Sequence, residues 1–192
     1  MRETGRPNIE FVGGAYRHAE EAEDFVIAKL NRQLKILRIY DLKFFKKEKQ
    51  TDIDIEFKRL IGDCWKNVWF IDVHECQLGP PTGGRWPWPV HLPHGVENEI
   101  NPFRYKNHFE NMANFSIMLV DIRKHRRWSQ SDMVLVTKEV VSICETKEIK
   151  THAPGHNRDE PMYMVPYDKL EPTWGAEKSV KWILAKINYS DI

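Results

Sequence analysis

The stretch Asp52-Ile53-Asp54-Ile55-Glu56-Phe57-Lys58 alternates ionisable and apolar residues at every step. In an extended strand that alternation puts Asp52, Asp54, Glu56 and Lys58 on one face, with neighbours about 7 Å apart. Three carboxylates so placed repel one another, an arrangement suited to a bound cation or to open solvent. Asp41 stands ahead of a polar run, Lys46-Lys47-Glu48-Lys49-Gln50, that can turn the chain. A hairpin centred on Lys47 to Lys49 pairs Asp41 with Glu56 and so adds a carboxylate from the adjacent strand. Two carboxylates on neighbouring strands can hold Mg²⁺, a hard cation that takes one or two protein carboxylates and keeps several waters. Lys58 then stands beside that cation, placed to orient a water or to offset negative charge on a phosphorane. The competing expectation is a solvated outer face of an amphipathic hairpin.

The elements around this strand follow from periodicity. Ala19, Ala22, Val26, Ile27, Leu30 and Leu34 draw one apolar stripe and predict a helix over 15–35, with Gly13-Gly14 at its start. Glu23 lies within that stripe, where its plainest role is a carboxylate at the edge reaching for water. Val68 to Val73 predicts a third strand of the same sheet, with Asp72 a solvated strand-end acid or a further carboxylate for the site. Phe115 to Ile122 predicts a buried strand, and residues 104–113 a short helix. Between them, about 77–103, the prolines, glycines and tryptophans of Gly-Pro-Pro-Thr-Gly-Gly-Arg-Trp-Pro-Trp-Pro predict a long loop. Ser131 to Glu145 carries both helix-capping and strand signals and is assigned to helix. Tyr163 to Val165 predicts a short strand, and Ala176 to Ile187 a closing helix with Val180, Ile183, Leu184 and Ile187 inward. The order is mixed α/β around one sheet.

The composition limits what such a domain can be. The chain has 192 residues, 41% hydrophobic and 30% charged, and Lys plus Arg exceed Asp plus Glu by only one. Phosphate contact must therefore come from a local patch rather than bulk charge. The run Arg123-Lys124-His125-Arg126-Arg127 is one such patch, following a buried strand. Trp86 and Trp88 of the long loop can stack on bases or fold back over the core. Three cysteines without a C-x-x-C pair argue against a disulfide scaffold. His91-x-x-His94 and His152-x-x-x-His156, with Cys64 and Cys76, have zinc-like spacings that no recognised pattern joins. No apolar run behind the N-terminus forms a signal peptide, and none is long enough to span a bilayer.

Asp41, the hairpin, and Ile55-Glu56-Phe57-Lys58-Arg59 together resemble the core of the PD-(D/E)XK nucleases, which have the restriction-endonuclease-like fold. That family places an acid on one strand and a D/E-x-K triplet on the next, after an N-terminal helix that often supplies another acid. The resemblance spans residues 15–75 and implies an α/β domain over 1–192 with a central mixed β-sheet flanked by helices. On it, Asp41 matches the first acid, Glu56 the second, Lys58 the lysine and Glu23 the helix acid, while Asp54 competes with Asp41. The implied activity is that of an endonuclease hydrolysing DNA phosphodiesters with Mg²⁺, or with Mn²⁺ as substitute. Asp41 and Glu56 would bind the metal with Asp54 or Glu23 assisting, and Lys58 would position the attacking water. Arg123, Lys124, Arg126, Arg127, Trp86 and Trp88 are the expected DNA contacts. A non-catalytic nucleic-acid-binding or assembly domain on the same fold is the second expectation. No membrane is implied, a homodimer stays open, and the expected location is intracellular, in a bacterial, phage or mobile-element setting.

Overall fold

Ala22, Val26, Leu30 and Leu34 are each at most 2% exposed and form the inner stripe of helix α1, Asn8–Ile36. The structure, a computed structural model, describes residues 8–48, 53–75, 96–97, 108–120, 133–153, 156–165 and 167–189. The helix runs through Gly13-Gly14, which the sequence puts at its start. Each glycine costs about 1 kcal/mol relative to alanine, which a helix this long absorbs. At its C-terminus Arg38 adopts a positive φ of 58°, and the Ile39 N–H reaches back to the Leu34 carbonyl at 2.9 Å. That left-handed cap turns the chain directly into the sheet.

Five strands form the main sheet in the order β1-β2-β3-β5-β6, with β1 Leu42–Lys46, β2 Ile55–Ile61, β3 Cys64–Glu75, β5 Phe115–Val120 and β6 Met133–Thr137. The first three make an antiparallel meander, β5 runs parallel to β3, and β6 runs antiparallel to β5. Gly62, at φ 61°, makes the tight turn between β2 and β3. The sheet is mixed and flanked by helices, as expected. It is not the only sheet. Val96–Glu97 (β4), Glu145–Ala153 (β7) and His156–Val165 (β8) build a second one in the order β4-β8-β7. Ionisable and polar residues fill most of β7, so no apolar alternation announces that hairpin.

Residues 131–145, assigned to helix from sequence, divide instead into β6 and a single turn, α2, at Lys138–Val141. All five β6 residues are buried, and β-branched side chains packed on both faces favour a strand there. Thr137 ends the strand and caps the turn, its hydroxyl accepting the Val140 N–H at 3.3 Å. The chain closes with α3 (Tyr167–Leu170), a 3₁₀ turn (Glu171–Thr173) and α4 (Ala176–Lys186). Val180, Ile183 and Leu184 of α4 are fully buried against the α1 side of the sheet. The other side of β5 and β6 packs Ile117, Leu119, Val134 and Val136 against Val140 and Leu170. Among the described residues no helix is long and apolar enough to cross a membrane.

Candidate active site

The β1–β2 register decides which carboxylates meet. Phe44 pairs with Phe57 and their rings stack with centroids 4.0 Å apart, deep under α1. That contact sets Phe45, not Asp41, opposite Glu56. Asp41 falls instead at the level of Leu60, whose N–H donates to its carbonyl at 2.7 Å. The expected Asp41–Glu56 pairing is thus corrected by four residues, about 14 Å along a strand. The register follows the buried Phe44–Phe57 pair rather than symmetry about Lys47 to Lys49, because burying two phenylalanines outweighs the preference of a solvated polar run. Asp41 has partners of its own: its carboxylate accepts the Tyr189 hydroxyl at 2.7 Å and Arg59 Nε at 3.2 Å.

Glu56 and Lys58 do come together. Lys58 Nζ is 2.8 Å from Glu56 Oε2, and Asn67 Nδ2 donates to the other oxygen at 3.1 Å. Burial pushes the Glu56 carboxyl up, but the Lys58 ammonium, Asn67 and the charge of Lys47 together hold it below the ordinary range. Ile55 and Phe57 face α1, so by strand alternation this pair stands on the opposite side of the sheet from α1.

A second group of ionisable residues forms where α1 crosses the end of the sheet. Glu23, with 17% of its side chain exposed, receives Lys46 Nζ of β1 at 3.0 Å, and Asp24 receives the same ammonium at 3.3 Å. Asp54 precedes β2 and is held on three sides. Its N–H donates to Ile71 O at 3.1 Å, its carbonyl accepts the Lys47 N–H at 2.8 Å, and its carboxylate accepts the Val73 N–H at 2.8 Å. Burial pushes the Glu23 carboxyl above the usual range; Lys46 pulls it down, and the negative charge of Asp54 pushes it up again. Burial would lower the Lys46 ammonium, yet Glu23 and Asp24 hold it above its ordinary value. Glu23 is therefore a half-buried, ion-paired carboxylate rather than an edge residue reaching for water. Glu75 ends β3 two residues beyond Val73, in register with Val120. Asp72 is not at a solvated strand end: it is 1% exposed, in register with Ile117, on the face away from α1.

Lys46 and Asp24 are the members of this region that the sequence left unassigned. Lys46 hides in a polar run, although it continues the Leu42, Phe44 alternation toward α1.

Arg123, Lys124, Arg126, Arg127, Trp86 and Trp88 lie outside the described residues. The strands that lead to and from their segments do not. β3 ends at Glu75, β5 at Val120 and β6 begins at Met133, which pairs with Val120. Glu75, Val120 and Met133 thus all stand at the end of the sheet that carries Asp54. Of the zinc-like residues, His91, His94 and Cys76 also lie outside; Cys64 is an exposed free thiol, and His152 and His156 flank the β7–β8 turn.

Among the described residues no group of three or more His, Cys, Asp or Glu side chains is disposed to hold a metal ion. Glu23 and Asp54 offer two hard oxygen donors, the number Mg²⁺ commonly takes from a protein while keeping its waters. Neither family models, nor curated proteins, nor solved structures gave a match to this chain.

Proposed function

We propose that this protein is a Mg²⁺-dependent DNA endonuclease whose centre lies at the end of the five-stranded sheet, between α1 and the entry to β2. The observation that supports this most is that Asp54 lies near enough to Glu23 for its charge to raise the Glu23 carboxyl, while Lys46 ties Glu23 of the helix to the sheet. The order of helix, antiparallel meander and parallel fourth neighbour supports a restriction-endonuclease-like arrangement. Asp54 and Glu23 would hold the cation. Such a cation lowers the pKa of a water and neutralises charge building on a phosphate. The Val73 N–H fixes Asp54, so the carboxylate is held ready without reorganisation. Lys46 provides a positive charge bound to Glu23 and Asp24. This assignment leaves Asp41, Glu56 and Lys58 outside the reacting centre, although Glu56-x-Lys58 is the triplet that matches the family in sequence.

The test is nicking of supercoiled and branched DNA by the full chain. Mg²⁺ or Mn²⁺ should support it, excess EDTA should abolish it, and Ca²⁺ should allow binding with little cleavage. Cleavage that survives EDTA contradicts the mechanism. Binding without cleavage under every metal would make the chain a nucleic-acid-binding domain.

A further inference from the structure

We propose that the outward face of the β1–β3 meander, centred on Phe45 and Trp65, is a platform for single-stranded nucleic acid. The proposal rests on the nucleic-acid reading of the chain but places its site away from the carboxylates. Along these strands the inward residues Leu42, Phe44, Ile55, Phe57, Trp69 and Ile71 fill the core beneath α1 and α4. The outward residues form a different surface. Phe45 and Trp65 meet edge to face with centroids 5.2 Å apart. The ammonium of Lys43 stands 5.1 Å from the Phe45 ring centre and that of Lys58 stands 5.4 Å from it. Trp65 is 38% exposed and Leu60, its register partner, 37%.

Lys43 and Lys58 stand over Phe45, and Lys47 and Lys58 act on the carboxylate of Glu56, so these residues carry a local positive balance in a nearly neutral protein. An exposed tryptophan set against a phenylalanine that two ammonium groups flank suits a ligand that offers flat π faces and anions at short repeat. Single-stranded nucleic acid has both, whereas a duplex hides its base faces within the stack. A protein partner suits it less well, since lysine is depleted from the cores of protein interfaces. On this account Glu56 is a spacer: it holds Lys58 in place over Phe45 without itself contacting ligand.

The experiment is fluorescence anisotropy of a labelled oligothymidylate of about 15 nucleotides, with the full chain in EDTA, read against a duplex control. Trp65→Ala should weaken binding to the single strand by about tenfold or more, while Trp65→Phe stays within about threefold. Lys43→Gln and Lys58→Gln should each lower the slope of log K against log salt by about 0.7. Asp54→Asn should leave this affinity unchanged while removing cleavage, so the platform and the nuclease reading fail separately. Thermal melts report folding, and Lys43→Glu on its exposed side chain carries the test if Trp65→Ala misfolds. Absence of wild-type binding overturns the proposal, as does wild-type affinity in the Trp65→Ala or Lys43→Glu variant. Loss of self-association in Trp65→Ala with oligothymidylate binding intact would also overturn it, in favour of a protein-binding face.

Discussion

The ammonium of Lys46, at the last residue of β1, lies 3.0 Å from a carboxylate oxygen of Glu23 on α1. This contact couples the helix to the sheet beside Asp54, and it makes Lys46 the cation already present among acids that would otherwise repel. Replacing Lys46 by Met should therefore raise Mg²⁺ affinity, by roughly five- to tenfold for the removal of one nearby charge. Lys58→Met, on the other face of the sheet, should leave that affinity alone. Calorimetric titration of both variants reads the difference. Equal effects from the two lysines, or weaker binding in Lys46→Met, would remove Lys46 from the site.

Asn31 has a less visible task. Its side-chain amide donates to the Phe44 carbonyl and accepts the Phe44 N–H, both at 2.9 Å. β1 is an edge strand, and Asn31 covers outward backbone groups that could pair with another chain. Asn31→Ala should cost about 2 kcal/mol, since two partly buried polar groups lose their partners. Asn31→Asp should do little better, because the donor to the carbonyl is lost. Denaturant unfolding measures both. A change within about 0.5 kcal/mol would mean that water replaces the amide without penalty.

Asp41 joins three places in the chain. It accepts from Tyr189 just beyond α4 and from Arg59 in β2, and the Arg59 guanidinium lies 5.1 Å from the centre of the Tyr189 ring. Asp41→Ala should lower stability by about 1–2 kcal/mol and leave the cleavage rate per folded molecule unchanged. A double-mutant cycle with Tyr189→Phe should give a coupling of about 1 kcal/mol. Loss of metal-dependent cleavage with the fold intact would return Asp41 to the metal.

Glu56 sets a pH dependence whose sign follows from its surroundings. Burial raises its carboxyl, but Lys58, Asn67 and Lys47 together bring it below the ordinary 4.5. The unfolded chain then binds the proton more readily, so the stability from Glu56 is present above 4.5 and fades as pH falls through the folded value. Glu56→Gln should be less stable than wild type at neutral pH, by about 1 kcal/mol or less. The gap should close on acidification. Melting curves across that range in low salt check it, and a gap that widens as pH falls has the wrong sign.

Local pattern carried much of the fold. The stripe from Ala22 to Leu34 and the inward set Val180, Ile183 and Leu184 are buried as their spacing requires. The alternation of Ile55 and Phe57 likewise marks the inner face of β2. Periodicity does not report which residues stand opposite one another. The Asp41–Glu56 pairing failed because register depends on the Phe44–Phe57 stack, a contact between two strands that alternation treats separately. The same limit hid the ion pair of Glu23 and Lys46, which are far apart in sequence and meet only because α1 lies across β1. Val134 to Val136 read ambiguously because a strand buried on both faces has no polar side to show its period.

The proposed catalytic carboxylates are Asp54 and Glu23, not Asp41 and Glu56. Single-turnover cleavage at saturating Mg²⁺ tests this assignment most directly, comparing Asp54→Asn with Glu56→Gln, both shown to be folded by their melts. Asp54→Asn should lower the rate by at least about a hundredfold, while Glu56→Gln should stay within about threefold of wild type. The reverse ranking, with Glu56→Gln inactive and Asp54→Asn active, would contradict the account and move the centre to the outer face of the hairpin.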